Sequence, residues 1–306
     1  MRTVVLSGGT GSAKFLMGLQ PLCHYTVVAN VGDNSWFHGL YVCPDIDTVT
    51  YALAGELDTE RGWGVRGDTF NALERLRELG SRDTWFKIGD VDMATHVYRT
   101  ALIEGGKTLT QATEAIARAY GVRDWRILPA TDSHVETRIR TAEKGEMHLQ
   151  EFWVREAGRL TPTTVRYAGA RAARPTPQVE RAVASADRVI LCPANPITSI
   201  MPTLSIPGVR EAIRRSKARK VAVSPMVGQG AYSGPAAKLM AAKGIRPTSL
   251  GVAELYRGLV DALVIDESDR EMERSISKAG MECLVTSTLM RNRDSQVRLA
   301  RVALEA

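Results

Sequence analysis

The chain has 306 residues, of which 44% are hydrophobic and 24% are charged, and its formal net charge at pH 7 is +6. These ordinary globular values exclude a disordered, collagen-like or coiled-coil chain. No apolar run approaches the ~18 residues that a membrane-spanning helix needs. The apolar stretch at residues 4–6 is too short for a signal peptide, so we expect a cytoplasmic protein. The small positive charge favours anionic ligands weakly, and aromatic residues are too few for a nucleic-acid stacking surface.

The amino-terminal end has the rhythm of a parallel β-α-β unit. Residues 3–6 are a short β-branched run that predicts a strand, and residues 12–19 predict a helix with one apolar face. Residues 25–30 predict a second strand. This alternation is typical of an α/β protein with a parallel sheet.

A glycine-rich turn, residues 7–14, joins the first predicted strand to the first helix. It reads Ser-Gly-Gly-Thr-Gly-Ser-Ala-Lys, which matches neither the dinucleotide-binding nor the Walker fingerprint. Glycines let the backbone approach an anion closely, and the start of a helix offers free N–H donors. We therefore expect phosphate binding here, against the alternative of a plain structural turn. The candidate phosphate-binding residues are Gly8, Gly9, Thr10, Gly11 and Lys14.

Two aspartates stand close together in residues 43–48, which read Cys-Pro-Asp-Ile-Asp-Thr. In an extended segment, carboxylates at i and i+2 point the same way, so Asp45 and Asp47 are candidates to share a magnesium ion or to accept a proton. An Asx turn after the proline is an equal alternative. The spacing of the four cysteines and five histidines matches no zinc motif, which favours oxygen ligands and magnesium.

The middle of the chain mixes predicted helices with a predicted hairpin. Residues 70–79 and 109–120 predict helices. Strict alternation over residues 135–141 and a turn at 143–145 that leads to residues 147–154 predict an antiparallel hairpin.

An aromatic and acidic stretch, residues 85–92, lies between the two predicted helices. Its aromatic rings, beside Lys87 and several aspartates, suit a flat and partly polar ligand. His96 follows Asp92 by four residues on a predicted helix. A surface ion pair is the more ordinary role for such a histidine than contact with a ligand.

Polar loops follow the predicted strands of the carboxyl-terminal half, at residues 188–192, 220–223 and 262–265. The first such loop contains Asn195, Thr198 and Ser199, and the second runs from Ser224 through Ser233 to Ala236. These side chains suit phosphate or ribose oxygens, and ordinary turn chemistry is the equal alternative. Because ligands bind at the carboxyl ends of parallel strands, we expect these loops and the glycine turn to converge on one nucleotide or phosphoester site.

The predicted elements describe one α/β fold, a Rossmann-like, doubly wound and mostly parallel sheet. Its nucleotide-binding core is predicted to comprise residues 1–65 and 170–306. Residues 66–169 are predicted to form an inserted, mixed α+β region of helices and a hairpin.

The assembled motifs resemble the 2-phospho-L-lactate transferase family, which assembles the deazaflavin coenzyme F-420. The resemblance runs in order over nearly the whole chain. The matching stretches are residues 7–14, 30–33, 44–48, 62–64 with Asp68 and Thr69, 89–90 with Asp92 and His96, 127–129 with Asp132, 150–154, 195–200, 224–225 with 233–236, and 251–253 with Tyr256.

The resemblance implies a magnesium-dependent phosphotransferase. A phosphate-linked three-carbon acid moves from a guanosine diphosphate donor to the ribityl hydroxyl of the deazaflavin alcohol, and GMP leaves. Asp47 and Lys87 are implied to contact the deazaflavin, with His96 beside them, and the inserted region is implied to complete that site. Asp45 and Asp47 are the catalytic and metal-binding candidates. The glycine turn and residues 195–199 are assigned to the guanosine diphosphate, and a homodimer is expected.

Four positions depart from the family pattern. Ser12 and Ala13 replace Thr-Pro, Asn34 replaces an aspartate, and Ala130 replaces a methionine. Family members transfer lactate, enolpyruvate or glycerate derivatives, and the sequence leaves the choice open. The alternative function is a non-catalytic, sugar-nucleotide-binding regulator of the same fold, but Asp45, Asp47 and Lys87 favour the transferase.

Overall fold

A computed structural model gives the fold and describes residues 1–228, the backbone of residues 230 and 231, and residues 234–306. Ser233, part of one predicted anion-binding loop, lies outside the described residues. The strands, in chain order, are β1 (Thr3–Ser7), β2 (Tyr25–Ala29), β3 (Ser35–Phe37), β4 (Leu40–Val42), β5 (Arg126–Pro129), β6 (Glu136–Thr141), β7 (Gly145–His148), β8 (Pro162–Ala168), β9 (Arg188–Leu191), β10 (Arg219–Val223), β11 (Met226–Val227), β12 (Gly230–Ala231), β13 (Ala262–Ile265) and β14 (Glu282–Val285).

The helices lie mostly between these strands, as the predicted alternation requires. They are α1 (Gly9–Leu19), α2 (Pro44–Ala54), α3 (Asn71–Glu78), α4 (Asp90–Glu104), α5 (Leu109–Ala119), α6 (Pro177–Ala184), α7 (Met201–Leu204), α8 (Val209–Arg215), α9 (Ala236–Ala242), α10 (Ser249–Leu255), α11 (Glu273–Lys278) and α12 (Arg293–Glu305). Glu151–Arg155 and Pro196–Ile200 are π-helical, and Glu267–Met272 is a 3₁₀ helix.

Seven strands form one parallel sheet in the order β14-β13-β10-β9-β1-β2-β5. Strands from the first half of the chain lie on one side of β1, and strands from the second half lie on the other. The strand order therefore reverses between β1 and β9, which is where a doubly wound sheet opens a crevice for ligands. The predicted α/β fold is confirmed.

The five predicted strands of this sheet are confirmed within one or two residues, but its two edge strands escaped prediction. The edge strand β14 has no buried residue, and the edge strand β5 ends in a proline. Edge positions need less apolar sequence, so their pattern is weak. β5 falls inside the predicted insertion but pairs with β2 in the main sheet.

A second sheet, in the order β7-β6-β8, contains the predicted hairpin. The prediction of a strand over residues 147–154 is wrong after His148, because the chain turns into the π-helix Glu151–Arg155. The Glu151 carboxylate accepts a hydrogen bond from the His148 N–H at 2.9 Å. This contact closes the turn, and apolar residues 152–154 then lie on a helical segment instead of a strand.

None of the helices in the described part of the chain is long and apolar enough to cross a membrane.

Candidate active site

A cavity of about 840 Å³ lies where the loops after β1, β9 and β10 meet. It occupies the crevice where the strand order reverses, so the predicted convergence of the polar loops is confirmed. The roles of the individual side chains stay predictions. All the predicted site residues line the cavity: Gly8, Gly9, Thr10, Gly11, Lys14, Asp45, Asp47, Lys87, His96, Asn195, Thr198 and Ser199.

Two glycines let the turn after β1 pack directly against the loop after β9. A Cβ atom on Gly8 would lie 2.7 Å from the Cβ of Ser199 and 2.7 Å from an Asp45 carboxylate oxygen. A Cβ atom on Gly11 would lie 2.3 Å from the carbonyl oxygen of Pro193. Any larger residue at either position would separate the two loops that carry the predicted guanosine diphosphate site.

Two N–H groups of the glycine turn already donate hydrogen bonds within the protein. The Gly8 N–H donates to Ser12 Oγ at 2.9 Å, and the Gly9 N–H donates to Asp45 Oδ1 at 2.8 Å. Within the described structure, the amides of Thr10 and Gly11 remain as free donors in the first turn of α1. The half-buried Lys14 adds a positive charge one turn further on. The anion donors are therefore concentrated in residues 10–14.

Asp45 lies in a buried carboxylate pair with Asp33. The side-chain amide of Asn30 donates to Asp45 Oδ2 at 2.8 Å and to Asp33 Oδ1 at 3.1 Å. Burial, reinforced by the neighbouring Asp45 carboxylate, raises the pKa of Asp33 well above its ordinary value. Burial raises the pKa of Asp45 to about 6, although hydrogen bonds from Asn30 and Gly9 oppose the shift. Both carboxylates are buried and share one amide donor, so a proton or a cation at this place would stabilise the pair.

The prediction that Asp45 and Asp47 share an extended segment and point the same way is wrong. Both lie in the first turn of α2, which begins at Pro44. A proline in the first helical turn followed by acidic residues is a helix-start pattern, and this pattern prevails over the Asx turn. Asp45 contacts the glycine turn through Gly9, whereas Asp47 contacts α4 through Arg99.

Asp47 forms a buried, two-pronged ion pair with Arg99. Arg99 Nη1 donates to Asp47 Oδ2 at 3.0 Å, and Nη2 donates to Oδ1. Burial opposes the charge of Arg99, but the Asp47 carboxylate prevails, and the pKa of Arg99 is raised. Both Asp47 oxygens therefore already have a charged partner, which leaves them less suited to a metal ion than those of Asp45.

His96 is buried, with a side-chain exposure of 2%, and is not the surface residue that its spacing from Asp92 suggests. Its Nε2 lies 3.3 Å from Asp92 Oδ1, and the Tyr51 hydroxyl donates to the same oxygen at 2.7 Å. Burial alone would raise the pKa of Asp92, but the contacts with His96 and Tyr51 prevail and lower it. His96 therefore belongs to a polar network that extends from Asp92 to Asp47.

Four aromatic side chains line the cavity together with Lys87. They are Trp63, Trp85, Phe86 and Trp153, and we call these four residues the aromatic cluster. Phe86 stacks on the buried Phe37 with 4.0 Å between ring centroids. Lys87 and Trp153 are exposed. The lining of the cavity therefore includes ring faces and a cation, the chemistry predicted for a flat and partly polar ligand.

The loop after β9 is held by Asn195. Its Oδ1 accepts hydrogen bonds from the N–H groups of Ile197 at 3.0 Å and Thr198 at 3.4 Å. The carbonyl oxygen of Thr198 in turn accepts from the Asn30 amide at 3.0 Å. The Asn195 carbonyl group therefore shapes the loop, and the hydroxyls of Thr198 and Ser199 line the cavity.

Sequence reasoning assigned no role to three polar residues of the site, Asn30, Asp33 and Arg99, although residues 30–33 lie in a stretch that resembles the family. The first two lie in a polar stretch directly after β2, so the position after a strand is a usable signal. Arg99 had no such signal, because a single arginine within a helix ordinarily faces solvent.

The chemistry of the cavity fits magnesium. Among the residues that the structure describes, no three His, Cys, Asp or Glu side chains converge as metal ligands. Magnesium needs no such cage, since proteins commonly hold it by one or two carboxylates together with substrate phosphates. Asp33 and Asp45, which form no ion pair with a described residue, would supply those carboxylates beside the predicted phosphate site.

Comparison with known proteins finds relatives over nearly the whole chain. A family model described as 2-phospho-L-lactate transferase CofD matches residues 3–302. The 2-phospho-L-lactate transferase of Methanosarcina acetivorans is 41% identical, over 97% of this chain and 96% of its own length. The phosphoenolpyruvate transferase of Streptomyces coelicolor is 40% identical, over 99% and 97%. A crystal structure of a UPF0052 family protein from Bacillus halodurans has the same fold, with a TM-score of 0.64 and 18% identity over 99% of this chain and 98% of that one.

Proposed function

This chain belongs to the 2-phospho-L-lactate transferase family, and from that membership we propose its reaction. It transfers a phospholactyl, phosphoenolpyruvyl or phosphoglyceryl group from a guanosine diphosphate donor to the terminal ribityl hydroxyl of 7,8-didemethyl-8-hydroxy-5-deazariboflavin. The hydroxyl oxygen forms a bond to the phosphorus that carries the three-carbon acid. The bond from that phosphorus to the bridging oxygen breaks, GMP leaves, and the hydroxyl proton is released. The product is a phosphodiester.

The observation that carries this proposal is that two unlike sets of groups line one cavity. The first set is Lys14 and the amides of residues 10 and 11, which have no partner in the described structure and suit a diphosphate. The second set is Lys87 and the aromatic cluster, which suit a deazaflavin ring. Helix α2 connects them, because Asp45 contacts the glycine turn and Asp47 contacts α4. Phosphoryl transfer depends mainly on such positioning and on neutralisation of charge.

Asp47 and Asp45 take different parts in this proposal. Asp47 accepts a hydrogen bond from the ribityl hydroxyl and orients its oxygen toward the phosphorus. Its ion pair with Arg99 makes it the less suitable metal ligand of the two aspartates. Asp45, with Asp33, holds the magnesium ion in place of the Asp45–Asp47 pair expected from the sequence. When bound, magnesium neutralises charge on the diphosphate. Lys87 contacts the deazaflavin ring.

The identity of the three-carbon acid is open between the named relatives. The 2-phospho-L-lactate transferase of Methanopyrus kandleri is 42% identical to this chain, close to the value for the phosphoenolpyruvate transferase from Streptomyces. We therefore propose an assay with all three donors. The donor with the highest kcat/KM identifies the acid.

The deciding experiment mixes the purified protein with magnesium, the deazaflavin alcohol and guanosine diphosphates that carry lactate, enolpyruvate or glycerate. GMP release and product mass are followed together. A phosphodiester product supports the proposal, and GMP without that product indicates hydrolysis of the donor. No product with any donor, together with tight binding of a sugar nucleotide, would favour the regulator instead. Size-exclusion chromatography with light scattering tests the expected homodimer.

A further inference from the structure

Arg99 is a charged side chain that the proposed reaction does not yet use. It lies on α4, its exposure is 0%, and it does not line the cavity. It therefore acts on a substrate, if at all, through other residues. Besides Asp47, its Nη1 lies 3.2 Å from His96 Nδ1 and 3.4 Å from the carbonyl oxygen of Tyr41.

The donor chemistry of arginine determines what these contacts do. A guanidinium group only donates hydrogen bonds, so His96 Nδ1 must accept. The hydrogen of His96 then sits on Nε2, the atom that faces Asp92 Oδ1 at 3.3 Å. The same guanidinium holds both oxygens of Asp47 in one plane by its two-pronged contact. One buried side chain therefore orients two of the three polar groups predicted to meet the deazaflavin, Asp47 and His96.

We propose that Arg99 is a positioning residue for the deazaflavin alcohol. It holds the Asp47 carboxylate and the His96 ring in a single orientation at the cavity wall. The ribityl hydroxyl of the deazaflavin alcohol thereby meets a carboxylate that is already held in position. Binding of the guanosine donor at the glycine turn is unaffected. This proposal rests on the proposed function, because it needs Asp47 to orient the attacking hydroxyl.

A purely structural role is the competing explanation, since the same ion pair joins α2 to α4. A structural role predicts lower stability and a general loss of activity. A positioning role predicts that kcat falls while the KM of the guanosine donor stays constant. It also predicts that the effect of Arg99 disappears once Asp47 can no longer act.

The test is a double-mutant cycle of wild type, Arg99→Lys, Asp47→Asn and the double variant. Lysine keeps the charge but replaces the planar fork by a single point charge, so it cannot hold both oxygens of Asp47. The matched control is Arg118→Lys, because Arg118 is an exposed arginine on α5 that pairs only with Glu114 in the described structure. Thermal unfolding checks the fold of each variant.

Arg99→Lys should lower kcat by about 10–100-fold, the size of effect that a misplacement of ~1 Å produces. The KM of the guanosine donor should stay within about threefold, and Arg118→Lys should match wild type. In the Asp47→Asn background, Arg99→Lys should cause no further loss. The positioning role would be overturned if the losses of the two single variants multiply in the double variant, or if Arg99→Lys turns over like wild type.

Two results would change the experiment: a variant that does not fold, and a wild-type protein that yields no product. If Arg99→Lys does not fold, Arg99→Gln/Asp47→Asn replaces it, because this pair keeps a hydrogen bond without any charge. Turnover equal to that of Asp47→Asn supports the role, and a further loss refutes it. If wild-type protein yields no phosphodiester, the proposed reaction itself fails and the role of Arg99 fails with it. Product from wild type with multiplying losses refutes the role of Arg99 alone.

Discussion

Replacement of Gly11 by alanine tests whether the glycine turn and the loop after β9 form one donor-binding site. The added Cβ would lie 2.3 Å from the Pro193 carbonyl oxygen, whereas real Cβ atoms essentially never approach another heavy atom within 3.0 Å. One of the two backbones must therefore move by at least about 0.7 Å, the difference between these distances. The contacting atom is a backbone oxygen, so no side-chain rotation can relieve the clash.

The expected size of the effect follows from this displacement. Forcing extra volume into a packed site costs about 1–3 kcal/mol of unfolding free energy. A shift approaching 1 Å in a substrate-positioning loop costs up to ~100-fold in rate. We expect kcat/KM for the guanosine donor to fall about 10–100-fold. The Kd of the deazaflavin alcohol should not change, because Lys87 and the aromatic cluster lie on other segments of the chain.

Steady-state kinetics with varied donor, and fluorescence titration of the deazaflavin alcohol, measure the two effects separately. Gly105→Ala is the matched control. Gly105 ends α4 with an ordinary φ of −75°, and its added Cβ would lie 3.2 Å from the nearest atom, a contact that small adjustments relieve. Wild-type donor kinetics in Gly11→Ala, or an equal loss in Gly105→Ala, would refute the reasoning.

Three further predictions concern the charged groups of the cavity. Asp47→Asn should reduce turnover at least ~100-fold and also lower the unfolding midpoint, because it leaves the buried Arg99 charge without its partner; near-normal kinetics would contradict its role. Lys87→Ala should weaken deazaflavin binding about tenfold without changing stability, since Lys87 is exposed, and an unchanged affinity in the fluorescence titration would argue against the contact. EDTA should abolish product formation and added magnesium should restore it. Asp33→Asn should raise the magnesium concentration needed for half-maximal turnover, and an unchanged requirement would place the metal elsewhere.

Local sequence patterns determined the framework of this protein. Short apolar and β-branched runs, separated by helices with one apolar face, predicted five strands of the parallel sheet. A buried strand needs a continuous apolar run whatever its neighbours are. The glycine turn was visible because the required backbone approach admits no side chain at Gly8 or Gly11. The position after a strand located every predicted loop of the cavity, since all parallel strands end on the same edge.

Local patterns gave wrong predictions where the same residues are compatible with two different local structures. Residues 43–48 combine a proline with two aspartates, which suits both an Asx turn and a helix start. The stretch at 147–154 suits both a strand and a helix. In the structure the Asp45 carboxylate accepts from the Gly9 N–H, 36 residues away, and the Glu151 carboxylate closes a turn on the His148 N–H.

Only the tertiary structure decided which charged groups act together. Asp45 and Asp47 are two residues apart, yet one joins Asp33 and Asn30 and the other joins Arg99, 52 residues away. Their side chains leave the first turn of the helix on different sides. Pairing of this kind depends on how α2 packs against the glycine turn and α4, and long-range packing leaves no period or spacing in the sequence. The sequence therefore determined the kind of site and its place on the sheet, and the packing of helices determined how its charges are divided.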